Sequence, residues 1–239
     1  MQEPMAHRVL VIVPTYNERE NLPRFLEELL AVPLHLQVLV VDDNSPDGTG
    51  RLAEELSGKE PRLQVLHRPG KMGLGSAYRE GFAWALQRDF DRVVEMDADF
   101  SHDPRVLPEF IAVSDEVDLV IGSRYVDGGG TAGWGPLRRF ISQGGCLYAR
   151  LILGAPIRDL TGGFKCFRRR VLEAINLGEV ASEGYSFQIE MNYRVLKGGF
   201  SVKEIPILFT DRRAGKSKMS WRIFWEGIRK VWWMRRVIG

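Results

Sequence analysis

The amino-acid sequence predicts an α/β protein: a doubly wound, mostly parallel sheet flanked by helices. Short apolar runs alternate with longer amphipathic stretches, which is the pattern of strands connected by crossover helices. The runs around Val11 and Val40 are continuously apolar, as expected of strands buried on both faces. A chain of 239 residues with 44% hydrophobic content is large enough to bury one sizeable core. We therefore expect one large α/β unit.

The apolar periodicity assigns the elements of this unit along the chain. Predicted strands cover residues 8–14, 37–43, 62–67, 92–97, 118–123 and 201–209. A capping box of Asn17 and Glu20 is predicted to begin the first helix, and further helices are expected at 49–56, 74–87, 104–114, 137–153, 187–196 and 221–238. Loops are expected at 128–135 and 159–165.

The charge of the chain is distributed unevenly. The net charge is +2, but residues 212–239 carry nine Lys/Arg against one acid, which leaves 24 basic and 30 acidic residues in the remainder. A basic tail on a mildly acidic body indicates an anionic surface as partner of the tail, and no nucleic-acid partner is expected. The two cysteines, Cys146 and Cys166, form no disulfide framework or metal-ligand pattern, so they indicate a reducing compartment.

The last predicted helix is amphipathic and rich in tryptophan. It places Trp225, Ile228, Val231 and Trp232 on one side, with Lys and Arg flanking them, which is typical of a helix lying in a membrane interface. The alternative is a C-terminal helix docked on the body. No apolar stretch of 18 residues occurs, so no membrane span is expected, and the N-terminus has no signal peptide.

Polar residues follow the first two predicted strands. Tyr16 and Glu18 stand where a dinucleotide-binding fold would have a glycine-rich turn, and they could stack on a base and accept its hydrogen bonds. Alternatively, Tyr16 packs locally. Asp42 and Asp43 end the second strand, where carboxylates meet ribose hydroxyls or base donors. The alternative is a polar turn.

The strongest single signal is Asp97-Ala98-Asp99 at the end of the fourth predicted strand. Residues i and i+2 of an extended segment point the same way, so the two carboxylates converge and would repel one another. A divalent cation resolves this repulsion, and Mg²⁺ or Mn²⁺ on such carboxylates also holds substrate phosphates. The alternative is a solvated acidic turn.

Several cations occur late in the chain. Singly each is a surface charge, but together with a metal at Asp97 and Asp99 they would bind an acceptor phosphate. They are Arg124, Arg138, Arg139, Arg212, Arg213, Lys216 and Lys218. A NAD site is rejected, because Gly73-Leu74-Gly75 is followed by Tyr78 where the fingerprint needs glycine.

In order, the motifs VPTYNE, VDDNSPDGT, GKMGLGSAYREGF, MDADFSHDP, GSRYV, DLTGGFKCF and RRAGKSKMS resemble those of the dolichol-phosphate (polyprenol-phosphate) mannosyltransferases. These are family 2 glycosyltransferases with the GT-A fold, and the resemblance covers almost the whole chain. It implies a catalytic domain at 1–210, with a basic acceptor-phosphate loop and a membrane-surface helix at 211–239. The implied reaction transfers mannose from GDP-mannose to dolichyl or polyprenyl phosphate.

The resemblance also implies roles for individual residues. The guanosine would be held by Pro14, Tyr16, Glu18, Val41 and Asp43. Asp97 and Asp99 would hold Mg²⁺ or Mn²⁺, with the backbone of Ala98 near the nucleotide. Phosphates of donor or acceptor would be bound by Arg124, Arg212 and Lys218, with Arg138 or Arg139 as helper at the acceptor. Asp99 and Arg124 are the expected catalytic residues.

Some family members differ from this chain in ways that leave alternatives open. They have a glutamine as third metal ligand where Ser101 stands, and some continue into transmembrane helices. The chain would therefore be complete and peripheral on the cytoplasmic side of a membrane, dependent on a small membrane subunit, or a catalytic fragment. UDP-glucose or another nucleotide-sugar remains an alternative donor, and a catalytically silent lipid- or nucleotide-binding regulator is the remote alternative.

The chemistry of the implied acceptor fits the absence of a convincing catalytic base. A polyprenyl phosphate monoester has a second pKa near ~6, so it is already a charged nucleophile at neutral pH. Cationic residues would hold this phosphate in line behind the anomeric carbon, and the attack would invert the configuration.

Overall fold

The computed structural model describes residues 7–211 and 221–239, the latter with side chains from Gly227 onward. Nine strands are found there: β1 Val9–Thr15, β2 Leu36–Asp42, β3 Leu63–His67, β4 Arg92–Glu95, β5 Leu119–Ser123, β6 Gly130–Ala132, β7 Lys165–Arg168, β8 Val202–Pro206 and β9 Leu208–Thr210. The α-helices are α1 Leu22–Leu30, α2 Thr49–Ser57, α3 Leu74–Leu86, α4 Leu107–Val113, α5 Pro136–Leu153, α6 Arg169–Ala174, α7 Gly184–Lys197 and α8 Trp221–Val237. Short 3₁₀ turns occur at Pro104–Val106 and Leu177–Glu179.

A seven-stranded sheet in the order β3-β2-β1-β4-β7-β5-β8 forms the centre of the molecule. All its neighbouring strands are parallel except β7, which is antiparallel to β4 and β5. Strands β6 and β9 form a separate parallel pair. The predicted mostly parallel sheet is confirmed, but β7 and α6 were missed. Strand β6 lies within the loop expected at 128–135, and the single strand expected at 201–209 is divided into β8 and β9. Lys165 at the start of β7 interrupts the apolar pattern that identifies a buried strand.

Alternating residues of each central strand contribute to two hydrophobic layers. Leu10 and Ile12 face the layer completed by α3, α5, α6, α7 and α8. Val11 and Val13 face the opposite layer, which α1, α2 and α4 complete. Because helices cover both faces, the strands have the continuous apolar runs from which they were predicted.

The predicted capping box at the first helix is wrong. Helix α1 begins at Leu22 after Asn21, without a side-chain cap. Asn17 instead has a φ of 63°, and its N–H donates to Ser45 Oγ over 3.1 Å. The N–H of Glu18 donates to Thr49 Oγ1 over 3.0 Å. The segment after β1 is therefore used to bind the turn after β2, which prevents Asn17 from capping a helix.

The described part of α8 is docked on the body. Val231 and Met234 are buried in the layer that contains α5 and α7, and Lys230 Nζ donates to the carbonyl oxygen of Ala181 over 3.4 Å. Val231, which we expected on the membrane side, therefore points inward, whereas Trp232 is 49% exposed. Among the helices of the described residues, none has both the length and the apolarity needed to cross a membrane.

Candidate active site

The ends of β1 and β2 are adjacent, with Pro14 beside Val41 and Thr15 beside Asp42. Asp42 is a structural residue of this edge. It accepts hydrogen bonds from Thr15 Oγ1 over 2.9 Å and from the N–H and hydroxyl of Ser45 over 3.0 and 2.6 Å. Asp42 thus closes the turn after β2, and of the two adjacent acids only Asp43 points toward the glycine-rich segment.

Asp43 joins β2 to the glycine-rich segment 70–75. Its carboxylate is buried, forms an ion pair with Arg68, and accepts hydrogen bonds from the N–H groups of Met72 and Gly73 over 3.0 and 3.3 Å. From the same segment, Lys71 Nζ lies 3.8 Å from the centre of the Tyr16 ring. The segment therefore brings Tyr16 and Asp43 to one side of the sheet edge.

The glycines of this segment provide space for another part of the chain. Gly73 has a φ of 102°, and a methyl group there would lie 2.6 Å from Glu183 Oε2. A methyl group on Gly75 would lie 2.7 Å from the carbonyl oxygen of Ser182. Glu183 Oε2 accepts hydrogen bonds from Gly75 and Ser76 N–H over 2.8 and 3.3 Å at the start of α3. Sequence reasoning missed Glu183, which is too distant along the chain to form a motif with them.

Asp97, Ala98 and Asp99 follow β4, which is hydrogen-bonded to β1. Asp99 is buried and accepts a hydrogen bond from the N–H of Ser101 over 3.0 Å, while Asp97 is half-buried. The Tyr78 hydroxyl donates to Asp97 Oδ1 over 3.4 Å. Burial, and then the negative charge of Asp97, raise the pKa of Tyr78, so its hydroxyl remains a donor. The acids thus lie at the same edge as Pro14 and Val41.

The chemistry of this donor set fits a divalent cation. Asp97 and Asp99 provide carboxylate oxygens, which Mg²⁺ and Mn²⁺ prefer. Within residues 7–211 and 221–239, no group of three or more His, Cys, Asp or Glu residues could hold a metal ion. Two protein carboxylates suit Mg²⁺-type binding, in which substrate phosphates and water complete the coordination.

Two buried ionisable side chains lie next to each other in the sheet, just before the acids. Glu95 and Lys165 are neighbours across β4 and β7, and both are inaccessible to solvent. Burial raises the pKa of Glu95 to about 7 and lowers that of Lys165 to about 8. Lys165 Nζ donates to the carbonyl oxygen of Gln188 over 3.1 Å and also to its side chain. Lys165 belongs to the motif DLTGGFKCF, but the sequence predicted no role for it.

Arg124 is placed differently from the expectation of a phosphate-binding cation. Its buried guanidinium contacts both oxygens of Asp159, with Nε–Oδ2 and Nη2–Oδ1 distances of 2.7 and 2.6 Å. Burial lowers the pKa of Arg124, but the hydrogen bonds and charge of Asp159 outweigh this and raise it above its usual value. Because the charge is already neutralised internally, the geometry does not support direct contact of Arg124 with a phosphate.

Arg138 holds the chain where the basic segment begins. Its Nη1 donates to Asp211 Oδ1 over 2.8 Å, and its guanidinium carbon lies 4.0 Å from the centre of the Trp134 ring. Arg139 instead donates to the carbonyl oxygen of Thr131 over 2.9 Å. Arg212 and Lys218, the other expected phosphate ligands, lie outside the described residues.

Helix α5 presents an apolar stripe to solvent. Leu137, Phe140, Leu147 and Leu151 are 70%, 76%, 53% and 72% exposed. Their spacing of three, seven and four residues places them along one side of the helix, while Cys146, Ala149 and Leu153 are buried on the other. A monomeric protein rarely exposes a contiguous apolar patch without a binding function.

Comparisons with known proteins agree with these observations. Residues 10–175 match the family model described as glycosyl transferase family 2. The chain is 49% identical over 228 residues to the polyprenol monophosphomannose synthase of Mycolicibacterium smegmatis, covering 95% of this chain and 86% of that protein. It is 46% identical over 224 residues to the undecaprenyl-phosphate mannosyltransferase of Micrococcus luteus, covering 94% and 92%.

Solved structures share the fold at low sequence identity. A Pyrobaculum calidifontis mannosyltransferase in complex with GDP-Man and Mn²⁺ superposes on this chain with a TM-score of 0.62 at 20% sequence identity. The superposition covers 91% of this chain and 60% of the mannosyltransferase. A Mycobacterium tuberculosis glucosyl-3-phosphoglycerate synthase gives a TM-score of 0.67 at 18% identity, over 96% and 79% of the two chains. The sequence match and the shared fold together show that the chain is a glycosyltransferase of family 2 with the GT-A fold, as its motifs implied.

Proposed function

We propose that the chain transfers mannose from GDP-mannose to a polyprenyl or dolichyl phosphate. The observation that carries this proposal is the 49% identity with a polyprenol monophosphomannose synthase over 95% of the chain. The convergence of Tyr16, Asp43, Asp97 and Asp99 at the carboxyl edge of the sheet supports it, because ligands of open α/β sheets bind at that edge.

The guanosine would lie across the ends of β1 and β2. Pro14 and Val41 are neighbours there. Val41 is buried in the core, so the partly exposed Pro14 would be the apolar contact of the base. Tyr16 offers a ring for stacking, and the carboxylates of Glu18 and Asp43 offer acceptors for guanine N–H groups. Asp43 Oδ2 already accepts hydrogen bonds from the N–H groups of Met72 and Gly73, so the base would use the acceptor capacity that remains on Oδ1, beside Arg68.

The diphosphate of the donor would lie beside Asp97, Ala98 and Asp99. These two carboxylates would hold Mg²⁺ or Mn²⁺, which supplies positive charge against the diphosphate as it leaves. Ala98 is buried between them, so only its backbone is available to the nucleotide.

The acceptor phosphate would be bound by the basic segment that follows Asp211. Arg212 and Lys218 are its proposed ligands, and Arg138 holds the start of the segment through Asp211. Because the phosphate is already ionised, these cations need only place it in line behind the anomeric carbon. The proposed outcome is transfer with inversion, without a protein base.

We also propose that the enzyme works as a peripheral protein on the cytoplasmic side of a membrane. Its acceptor is a lipid, and the apolar stripe of α5 begins beside Arg138 and Arg139, close to where the basic segment starts. A bilayer with anionic headgroups complements both the stripe and the charge of +8 carried by residues 212–239. A small membrane subunit is a further proposed partner for this surface.

A donor panel tests the proposed reaction. Purified protein is incubated with Mn²⁺, polyprenyl phosphate and radiolabelled GDP-mannose, UDP-glucose or GDP-glucose, and the lipid product is extracted into organic solvent. Label should enter the organic phase only with polyprenyl phosphate present and most efficiently from GDP-mannose. Preferential transfer from UDP-glucose would reassign the donor, and the absence of transfer from every donor would favour a silent binding protein.

A further inference from the structure

The proposed metal ligand Asp97 is contacted by two aromatic residues that lie in separate ring stacks. The Tyr78 hydroxyl donates a hydrogen bond to Asp97 Oδ1 over 3.4 Å. His102 Nδ1 accepts a hydrogen bond from the backbone N–H of Asp97 over 3.2 Å. One residue therefore contacts the carboxylate and the other the main chain.

The Tyr78 ring is fixed within the layer formed by α3 and α7. It is completely buried and lies between Phe82 and Phe187, with ring centres 6.2 and 5.9 Å away and interplanar angles of 25° and 6°. Both neighbours belong to the same hydrophobic layer. This packing holds the ring in place, with its hydroxyl toward Asp97 after β4.

The His102 ring is fixed against the opposite layer. It stacks on Phe164 at 5.0 Å and meets Phe209 edge-on at 5.6 Å. Phe164 in turn stacks on Phe110 at 4.2 Å within the second layer. Because Nδ1 accepts a hydrogen bond from Asp97, the proton of the neutral ring is on Nε2. The two stacks therefore hold Asp97 from opposite faces of the sheet.

We propose that Tyr78 and His102 are positioning residues that fix the carboxylate and backbone of Asp97 for metal binding. The inference rests on the proposed function, since it takes Asp97 to be a metal ligand. Residues that orient a ligating carboxylate contribute strongly to metal binding, and their loss typically costs about 10–100-fold in affinity or activity. Neither residue contacts the reacting atoms, so each acts through Asp97.

Tyr78→Phe provides the test, because it removes the hydroxyl and keeps the ring stack. Mn²⁺ binding in the presence of GDP, without acceptor or turnover, is measured from the electron paramagnetic resonance signal of free Mn²⁺. We expect the dissociation constant for Mn²⁺ to rise about 10–100-fold with little change in melting temperature. Tyr193→Phe is the matched control, since Tyr193 is a buried tyrosine of α7 whose ring contacts Lys197, and its Mn²⁺ affinity should equal that of the native protein.

The outcomes separate this inference from the proposed function. If the native protein binds Mn²⁺ in the presence of GDP and Tyr78→Phe binds it equally well, Tyr78 has no positioning role. The metal site itself would remain supported. Native protein that binds no Mn²⁺ with GDP would remove the metal site and the inference together. Should Tyr78→Phe not fold, His102→Phe allows the same measurement from the other face, because it keeps a ring against Phe164 and removes the Nδ1 acceptor of the Asp97 N–H.

Discussion

At the residue scale, the charged side chains near the sheet edge divide into those placed for ligands and those that hold the chain. We propose that Asp97 and Asp99 belong to the first group. Asp42 closes a turn through Thr15 and Ser45, and Arg124 is neutralised by Asp159. A sequence pattern cannot distinguish these groups, because the distinction depends on partners that are distant along the chain.

Asp99→Asn should nearly abolish mannosyl transfer while leaving the fold intact. The amide keeps the shape of the side chain but removes the negative charge that a divalent cation needs. Transfer is measured with Mn²⁺ and labelled donor, and folding by circular dichroism. Asp103→Asn is the control and should keep its activity, because Asp103 caps a 3₁₀ turn and pairs with Arg105. Full activity of Asp99→Asn in the presence of EDTA would contradict the metal assignment.

Arg124→Met should destabilise the protein by about 3–5 kcal/mol, because it leaves the buried carboxylate of Asp159 without its counter-charge. The free energy of unfolding is measured by urea titration. Arg158→Met is the matched control: Arg158 forms an exposed pair with Asp127 at 3.5 Å, and such pairs contribute about 0–1 kcal/mol. A stable Arg124→Met variant that loses only phosphate affinity would restore the role expected from the sequence.

At the scale of elements, the start of α3 depends on the start of α7. Glu183 accepts hydrogen bonds from the first N–H groups of α3, and the preceding segment donates to Asp43. This series of contacts joins the proposed guanosine pocket to α7. The sequence predicted each helix from its apolar periodicity, but the contact between their ends is long-range and has no local signature.

Gly75→Ala should destabilise the protein by about 1–3 kcal/mol through overpacking, and should also weaken GDP binding. The added methyl group would lie 2.7 Å from the Ser182 carbonyl oxygen and 3.0 Å from Phe187. Gly144→Ala is the control within α5, where the methyl group meets nothing within 4 Å, and better helix propensity should stabilise it by about 0.5–1 kcal/mol. Thermal melts and GDP titrations compare the two, and equal behaviour would contradict close packing of α3 on α7.

At the scale of the whole molecule, the parallel sheet could be predicted because its strands are continuously apolar. The antiparallel β7 could not, because it carries the buried lysine Lys165, whose neighbour in the sheet, Glu95, comes from a different part of the chain. Tyr16, Asp43, Asp97 and Asp99 were nominated from their positions after strands. Glu183 required the tertiary structure, since it contacts Gly75 and Ser76 more than 100 residues away. His102 is near Asp97 in the chain, but its contact with the Asp97 backbone depends on a turn that the sequence does not reveal.

The proposed membrane attachment would depend on the assembled surface, which includes the exposed stripe of α5. Phe140→Glu should reduce binding to vesicles of anionic lipid and slow transfer to long-chain polyprenyl phosphate. Burial of an exposed phenylalanine contributes a few kcal/mol at ~25 cal/mol/Å², and the new charge opposes anionic headgroups. Binding is measured by vesicle sedimentation at low and high salt.

Gln64→Glu, on the exposed side of the edge strand β3, adds the same charge outside the stripe and should change neither property. Phe140→Glu should also retain transfer to short, water-soluble acceptors, because the proposed chemistry occurs at the sheet edge. Unchanged vesicle binding by Phe140→Glu would show that the α5 stripe does not contact the bilayer.

We propose that nucleotide-sugar and metal meet at the carboxyl edge of β1, β2 and β4. Anomalous diffraction from a crystal grown with Mn²⁺ and GDP-mannose tests this directly, because the anomalous signal locates Mn²⁺ by its element. We expect one strong peak between the carboxylates of Asp97 and Asp99, with the guanine beside Tyr16. A peak elsewhere, or a nucleotide bound away from Tyr16 and Asp43, would contradict it.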